Sequence, residues 1–258
     1  MITSMSNPQV KRVLQLNTKA RARRDQGLFV AEGIKLFREA PARLREKVFV
    51  SASFEKENGD LLAGISYETV EDRVFAHMCD TQTPQGVLTL LRMPTYTRQD
   101  LLGKGRANSP LLLVLEDLQD PGNVGTILRT AEGAGVTGLI LSRNCVDLFH
   151  PKTIRSTMGS VFRMPFVVEE DLLETMRWLK EEEIQTFAAH LRGNRTYNRE
   201  DYRAGTAFVI GNEGNGLSSE LSDACDRLIR IPMEGQVESL NAAVATAILI
   251  YEAHAQRN

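Results

Sequence analysis

Three stretches in the C-terminal half hold residues whose types and spacing could do chemistry. The first is LEDLQDPGNVGTILRTAEGAGV at 115–136, with Asn123, Gly125 and Arg129 two and then four residues apart. Pro121-Gly122 makes a turn, and Asn123 suits a helix N-cap, where a side-chain oxygen accepts a free backbone amide. Val124, Ile127, Leu128 and Ala131 then recur at helical spacing and face a core, which leaves Arg129 off the apolar stripe. A guanidinium there could hold an anion with a two-pronged hydrogen bond. An ordinary strand–turn–helix with a surface arginine would read the same way.

The second stretch, AFVIGNEGNGLSSEL at 207–221, carries Gly211, Gly214 and Gly216. Glycines let a backbone approach a ligand closely. This is neither a Walker loop, since no GK[ST] follows, nor a GxGxxG dinucleotide turn. Glu213 would repel phosphate, so the loop suits a neutral or cationic ligand, of which a sulfonium is one. The third stretch, IRIPMEGQVESLNAAVATAILIYEA at 229–253, runs from a strand through Pro232 into a helix that opens on Ser239-Leu240-Asn241. Ala242, Ala243, Ala245 and Ala247 give that helix a small-residue face. A plain amphipathic C-terminal helix capped by a serine is the alternative.

Each stretch follows one plan: a strand ends, a polar or glycine-rich loop follows, a helix begins. In open α/β sheets ligands bind at those carboxyl ends. The positioning elements are buried strands at 111–116, 136–142, 187–190, 207–212 and 228–233, alternating with helical patterns at 124–132, 152–159, 170–182 and 239–255. Such alternation predicts a mostly parallel sheet covered on both faces. The N-terminal half is less sharply patterned. A helix is expected over 9–24, strands at 28–30, 47–50 and 86–91, and a helical segment near 34–40; residues 51–82 alternate only weakly. The division expected is a domain over 1–95, a linker over 96–109 with little periodicity, and a second domain over 110–258.

Composition sets the remaining bounds. The chain has 258 residues, is 42% hydrophobic and 25% charged, and contains no apolar run long enough to span a membrane, so a cytoplasmic protein is expected. Its cysteines (Cys79, Cys145, Cys225) and histidines (His77, His150, His190, His254) are scattered, and no metal is expected. The net charge of −2 is uneven: residues 1–100 carry 15 Lys+Arg against 12 Asp+Glu, residues 101–258 carry 16 against 21. Lys11, Arg12, Lys19, Arg21, Arg23 and Arg24 fall within the first 24 residues without an acid among them. Such a cluster can meet backbone phosphates, or it can be a solvated helix face.

Taken together, in this order, the three stretches resemble the signature motifs of the SpoU branch of the SPOUT RNA methyltransferases. Asn123, Gly125 and Arg129 match N-x-G-x-x-x-R. Ile210, Gly211, Glu213, Gly216 and Leu217 match I-G-x-E-x-x-G-L. Ile231, Pro232, Met233, Ser239, Leu240 and Asn241 match I-P-M…S-L-N. The intervening KTIRSTMGSVFRMPF at 152–166 looks like the family's linking segment, and the resemblance runs through 111–253. NPQVKRVLQL and RARRDQGLFVAEGIKLFREA are similar to the family's small substrate-binding domain, itself akin to RNA-binding ribosomal proteins, which favours an RNA contact for the basic cluster.

The resemblance implies a trefoil-knotted α/β methyltransferase domain that binds S-adenosylmethionine, behind a smaller N-terminal α/β domain. It implies cofactor contacts at His190, Leu191, Gly211, Ile231, Met233 and Leu240. It implies methyl transfer to a ribose 2′-hydroxyl by a site containing Asn123, Arg129, Glu213, Ser239 and Asn241, a homodimer with its site near the subunit interface, and no membrane partner. A guanidinium rarely gives up its proton, so Arg129 is expected to stay charged and stabilise the alkoxide or an adjacent phosphate. Ribosomal RNA is the favoured substrate over transfer RNA. The other readings are a transfer RNA 2′-O-methyltransferase, a SPOUT enzyme methylating a base nitrogen, and a non-catalytic RNA-binding assembly factor of the same fold.

Overall fold

A computed structural model describes residues 1–103 and 109–258. The chain forms two compact units. One comprises residues 1–94 with 147–162; the other comprises 95–146 with 163–258. Residues 104–108, within the linker expected at 96–109, lie outside the described residues; the described part of that segment includes a short helix.

The first unit contains α1 (Pro8–Thr18), α2 (Ala20–Gln26), β1 (Leu28–Glu32), α3 (Ile34–Glu39), β2 (Arg45–Ser51), α4 (Ala52–Glu57), β3 (Glu68–Val70), α5 (Asp72–Met78) and β4 (Val87–Arg92). Its sheet has the order β1-β4-β2-β3. Val10, Val13 and Leu16 of α1 pack with Leu28, Val30, Phe49, Val74 and Leu88 in one buried cluster. The segment 147–162 completes this unit: the ring of Phe29 lies 4.7 Å from that of Phe149 and 6.4 Å from that of Phe162.

The single helix expected over 9–24 is two. The chain turns extended at Lys19 (φ −122°, ψ 110°), and the turn brings Arg23 back onto α1. Its Nη1 donates to the carbonyls of Leu16 (2.6 Å) and Asn17 (3.3 Å), which α1 leaves without helical partners. Its Nε and Nη2 both donate to Asp147 Oδ2, at 2.9 and 2.7 Å. With 2% of its surface exposed, Arg23 is a structural clamp and cannot meet RNA, which corrects its expected role. Lys11, Arg12, Lys19, Arg21 and Arg24 are exposed.

The second unit contains α6 (Arg98–Leu101), β5 (Leu111–Leu115), α7 (Pro121–Gly133), β6 (Gly138–Ser142), β7 (Phe166–Glu169), α9 (Leu172–Glu181), β8 (Gln185–Ala189), β9 (Arg195–Thr196), β10 (Thr206–Ile210), α10 (Ser219–Ala224), β11 (Arg227–Arg230) and α11 (Ala242–Arg257); α8 (Pro151–Thr157) belongs to the first unit. The sheet order is β7-β6-β5-β10-β8-β11-β9, and each neighbouring pair runs parallel. The central strands β5, β6 and β10 are buried along their whole length, as a sheet covered on both faces requires. All five expected strands are present. β7 and β9, four and two residues long, were not among them. Among the described residues no helix is long and apolar enough to cross a membrane.

Candidate active site

The site grows from three loops at the carboxyl ends of β5, β10 and β11. After β5 the chain enters Asp117 in the left-handed region (φ 53°), a conformation a non-glycine residue adopts only when its surroundings hold it. Here Ser142 Oγ donates to Asp117 Oδ1 at 2.6 Å, and Asn144 Nδ2 donates to Oδ2 at 3.3 Å. Helix α7 then starts three residues earlier than Asn123 would start it. Asp120 is the N-cap, its Oδ1 accepting from Asn123 N at 2.8 Å, and Pro121 follows in the first turn, a favoured place for proline. Asn123 is therefore inside the first turn, and its side chain is free of capping duty.

That side chain joins the three loops. Asn123 Nδ2 donates to Glu213 Oε1 at 3.0 Å, and Asn123 Oδ1 accepts from Asn241 Nδ2 at 2.9 Å. Glu213 also accepts from the backbone N–H groups of Gln119 (3.1 Å) and Asp120 (3.2 Å). Burial works against ionisation of this carboxyl, but donation from Asn123, Gln119, Asp120 and its own amide outweighs it and holds Glu213 below the usual carboxylate range. Its charge thus pins the first loop. Asn241, not Ser239, caps α11, its Oδ1 accepting from Ala243 N (2.9 Å) and Val244 N (3.3 Å). The amide geometry fixes the sense of the chain: one Asn123 side chain donates to an anion and accepts from a second amide.

The glycine loop is closed on itself. Asn212 and Gly216 exchange backbone hydrogen bonds at 3.0 and 2.9 Å. Asn212 Oδ1 accepts from Gly214 N and Asn215 N, while its Nδ2 donates to the Asp117 carbonyl at 2.7 Å. Asn212 thus ties the second loop to the first, a role not anticipated for it. Its sequence signal is an Asx residue opening a glycine-rich turn.

Two adjoining clefts result. One, of about 620 Å³, is walled by aliphatic groups of Leu191, Ile210, Leu217, Ile231 and Leu240, by Gly211, Gly235, Ala242 and Ala245, and by His190, Glu238 and Arg230. All six residues expected to touch a cofactor (His190, Leu191, Gly211, Ile231, Met233 and Leu240) line it. The His190 ring accepts from Arg192 N through Nδ1 at 3.0 Å; burial, with the Arg192 charge, holds its pKa down. The second cleft is lined by Gln119, Asp120, Asn123, Glu213, Ser239, Leu240, Asn241 and Ala242. Glu213, Ser239, Leu240 and Ala242 are common to both. Arg129 stands apart: it is exposed on α7 and lines neither cleft.

Gly211 is the tightest point. A Cβ there would lie 2.2 Å from the carbonyl carbon of Gly216 and 2.3 Å from Leu217 N. Both are backbone atoms, so the loop would have to open. Gly211→Ala is expected to cost about 1–3 kcal/mol of stability and to abolish cofactor binding in the first cleft. Thermal unfolding and calorimetric titration check this; wild-type affinity in the variant would refute it.

The profile of the SpoU rRNA methylase family matches residues 110–251, and that of an MRM3-like substrate-binding domain matches residues 7–89. The chain is 34% identical to the 23S rRNA (guanosine(2553)-2′-O)-methyltransferase RlmP of Bacillus subtilis over 254 residues, covering 97% of each protein. Among solved structures it superimposes on the AdoMet-bound rRNA methyltransferase of Sinorhizobium meliloti with a TM-score of 0.84 at 31% identity, covering 98% of this chain and 97% of the other. For the SpoU methyltransferase AviRb of Streptomyces viridochromogenes the TM-score is 0.85 at 27% identity, with 97% and 98% covered.

Proposed function

The chain belongs to the SpoU rRNA methylase family, and from that membership and the paired clefts we propose that it transfers a methyl group from S-adenosylmethionine to a ribose 2′-hydroxyl of ribosomal RNA. The observation that carries the reading is the chain of hydrogen bonds Asn241–Asn123–Glu213, which fastens all three motif loops where the two clefts meet.

The cofactor's chemistry fits the first cleft. Its volume suits a nucleoside-sized ligand, its walls offer aliphatic faces for a base, and its charged lining of two carboxylates and one guanidinium suits a sulfonium better than a polyphosphate. When bound, S-adenosylmethionine supplies an electrophilic methyl carbon, whose bond to sulfur breaks as the bond to the 2′-oxygen forms, the hydroxyl proton leaving to solvent. Asn123, Ser239 and Asn241 hold and orient the ribose in the second cleft, and orientation is a large part of the rate such a transfer can gain. Glu213 fixes the two loops that shape both clefts. Arg129 stays charged and stabilises the developing alkoxide or an adjacent phosphate.

Because Arg129 lines neither cleft of its own chain, the reading includes a homodimer in which a second copy brings its Arg129 to the site. A face for that contact runs along α11, where Val244 and Tyr251 are 49% and 48% exposed seven residues apart, two helical turns; α11 packs on α7, which carries Arg129. The trefoil crossing belongs to the same reading and rests on the family membership alone. The exposed Lys11, Arg12, Lys19, Arg21 and Arg24 of the first unit contact RNA. The site of action is the cytoplasm, with the RNA.

The test is to incubate the purified protein with total RNA from a strain lacking its gene and with radiolabelled S-adenosylmethionine, then to size the RNA and digest it to nucleosides. Label in a 2′-O-methylnucleoside of ribosomal RNA is the expected result; label in transfer RNA moves the substrate. Label on a base refutes ribose transfer. No label, with no thermal stabilisation by S-adenosylmethionine where about 2.7 kcal/mol is expected at 100 times Kd, makes the protein an RNA-binding module.

A further inference from the structure

The second unit is acidic by sequence, yet five of its arginines gather at one sheet edge. Residues 190–200 read HLRGNRTYNRE, with Glu200 the single carboxylate, and β11 adds Arg227 and Arg230. The pairing of β9 with β11 sets Arg195 opposite Ile229 and Thr196 opposite Arg230. The preceding turn is pressed onto the same strand: a Cβ on Gly193 would lie 2.6 Å from Ile229 C and 2.8 Å from Arg230 N. Arg192, Arg195, Arg199, Arg227 and Arg230 are all exposed.

One carboxylate organises two of them. Glu200, its side chain 4% exposed, meets Arg195 Nη1 at 3.1 Å and Arg227 Nη1 at 3.4 Å. A buried anion shared by two guanidiniums holds both in place and leaves a net positive charge at the surface. Two acids of this edge have partners of their own: Asp226 accepts from Thr186 N and Oγ1, both at 2.8 Å, and Asp201 pairs with Arg203. Arg230 lines the cofactor cleft together with Glu238 and Glu213, so the arginine edge ends at the proposed site of methyl transfer. Among the described residues the side chains of Arg192 and Arg199 make no hydrogen bond or ion pair.

We propose that the β9–β11 edge with its 191–199 turn is an RNA-binding surface that holds the phosphates of the single-stranded segment whose ribose enters the second cleft. This deepens the proposed function and rests on it for the identity of the polyanion. Planar guanidiniums match phosphate oxygens two at a time, and a row of them beside the cleft feeds a strand in without reading its sequence. RNA contact is thereby spread over both units.

The test uses the full chain carrying Arg192→Ala and Arg199→Ala together, with a single-stranded oligouridine and an unmodified ribosomal RNA transcript as probes across a salt series. Two lost phosphate contacts are expected to lower the slope of log affinity against log salt by about 1.4 and to weaken binding about tenfold at low salt, with S-adenosylmethionine affinity unchanged by calorimetry. Wild-type slope and affinity would overturn the proposal. An altered oligomeric state by light scattering, at unchanged salt slope, would overturn it in favour of a protein interface. The salt slope is read without any methyl transfer, so it stands or falls independently of whether the wild-type chain proves to be a methyltransferase.

Discussion

Arg129→Ala is expected to lower methyl transfer by about 10²–10³ while leaving cofactor affinity and thermal stability at wild-type values. The rate loss is what removal of one charge-stabilising donor typically causes. The intact fold follows from the exposed position of Arg129 on α7, where surface substitutions usually change stability by less than about 0.5 kcal/mol. Arg129→Lys separates two versions of the role. A lysine keeps the charge but loses the planar fork, so a bidentate contact predicts a rate near that of the alanine variant, and full turnover in the lysine variant sinks that version. Mixing adds a second readout. If Arg129 acts in a partner's cleft, Arg129→Ala combined with a cofactor-blocking Leu240→Arg chain regains activity, since each mixed dimer holds one complete site, about a quarter of all sites at equal mixing. No regained activity, with subunit exchange verified, refutes action across the dimer.

Asp147→Ala is expected to destabilise the protein by about 3 kcal/mol or more. The Arg23 side chain is 2% exposed, and two of its three nitrogens donate to Asp147 Oδ2 alone. Removing the carboxylate leaves a buried cation short of partners, which costs far more than the pair is worth. Arg23→Ala should approach the same loss, because the Leu16 and Asn17 carbonyls lose their donor as well. Arg24→Ala, one residue on and exposed, should leave the melting temperature alone and weaken RNA binding instead. Thermal unfolding of the three variants, each followed by RNA titration, checks the contrast; an Asp147→Ala protein as stable as wild type refutes it.

Residues with chemistry at fixed offsets were legible in the sequence. Gly211, Ile231, Met233 and Leu240 are all in one cavity wall because each sits within three residues of a strand end or a helix start, where the fold delivers it to the carboxyl edge. Asn123, Glu213 and Asn241 could be singled out by type and spacing, but their direct bonding could not, since 90 and 118 positions separate Asn123 from its two partners. Local signals failed where two residues competed for one task. Asp120 outbids Asn123 as the cap because Pro121 fixes where the helix starts. Arg23 looked like its neighbours in a basic run; only a carboxylate 124 positions away makes it a buried clamp. Strands β3 and β7, three and four residues long, are too short to show a period.

The chain passes between its two units three times, at 94–95, 146–147 and 162–163, and this orders events during synthesis. The rings that cover Phe29, those of Phe149 and Phe162, and the carboxylate that neutralises Arg23 are translated more than a hundred residues after them. By then β5, α7 and β6 have already been made. The N-terminal unit therefore cannot finish its core as it leaves the ribosome, and a fragment ending at residue 95 lacks part of its own interior. In evolutionary terms this unit is no detachable module: a recombination that moved residues 1–95 alone onto another protein would leave Phe29 uncovered and Arg23 without its carboxylate.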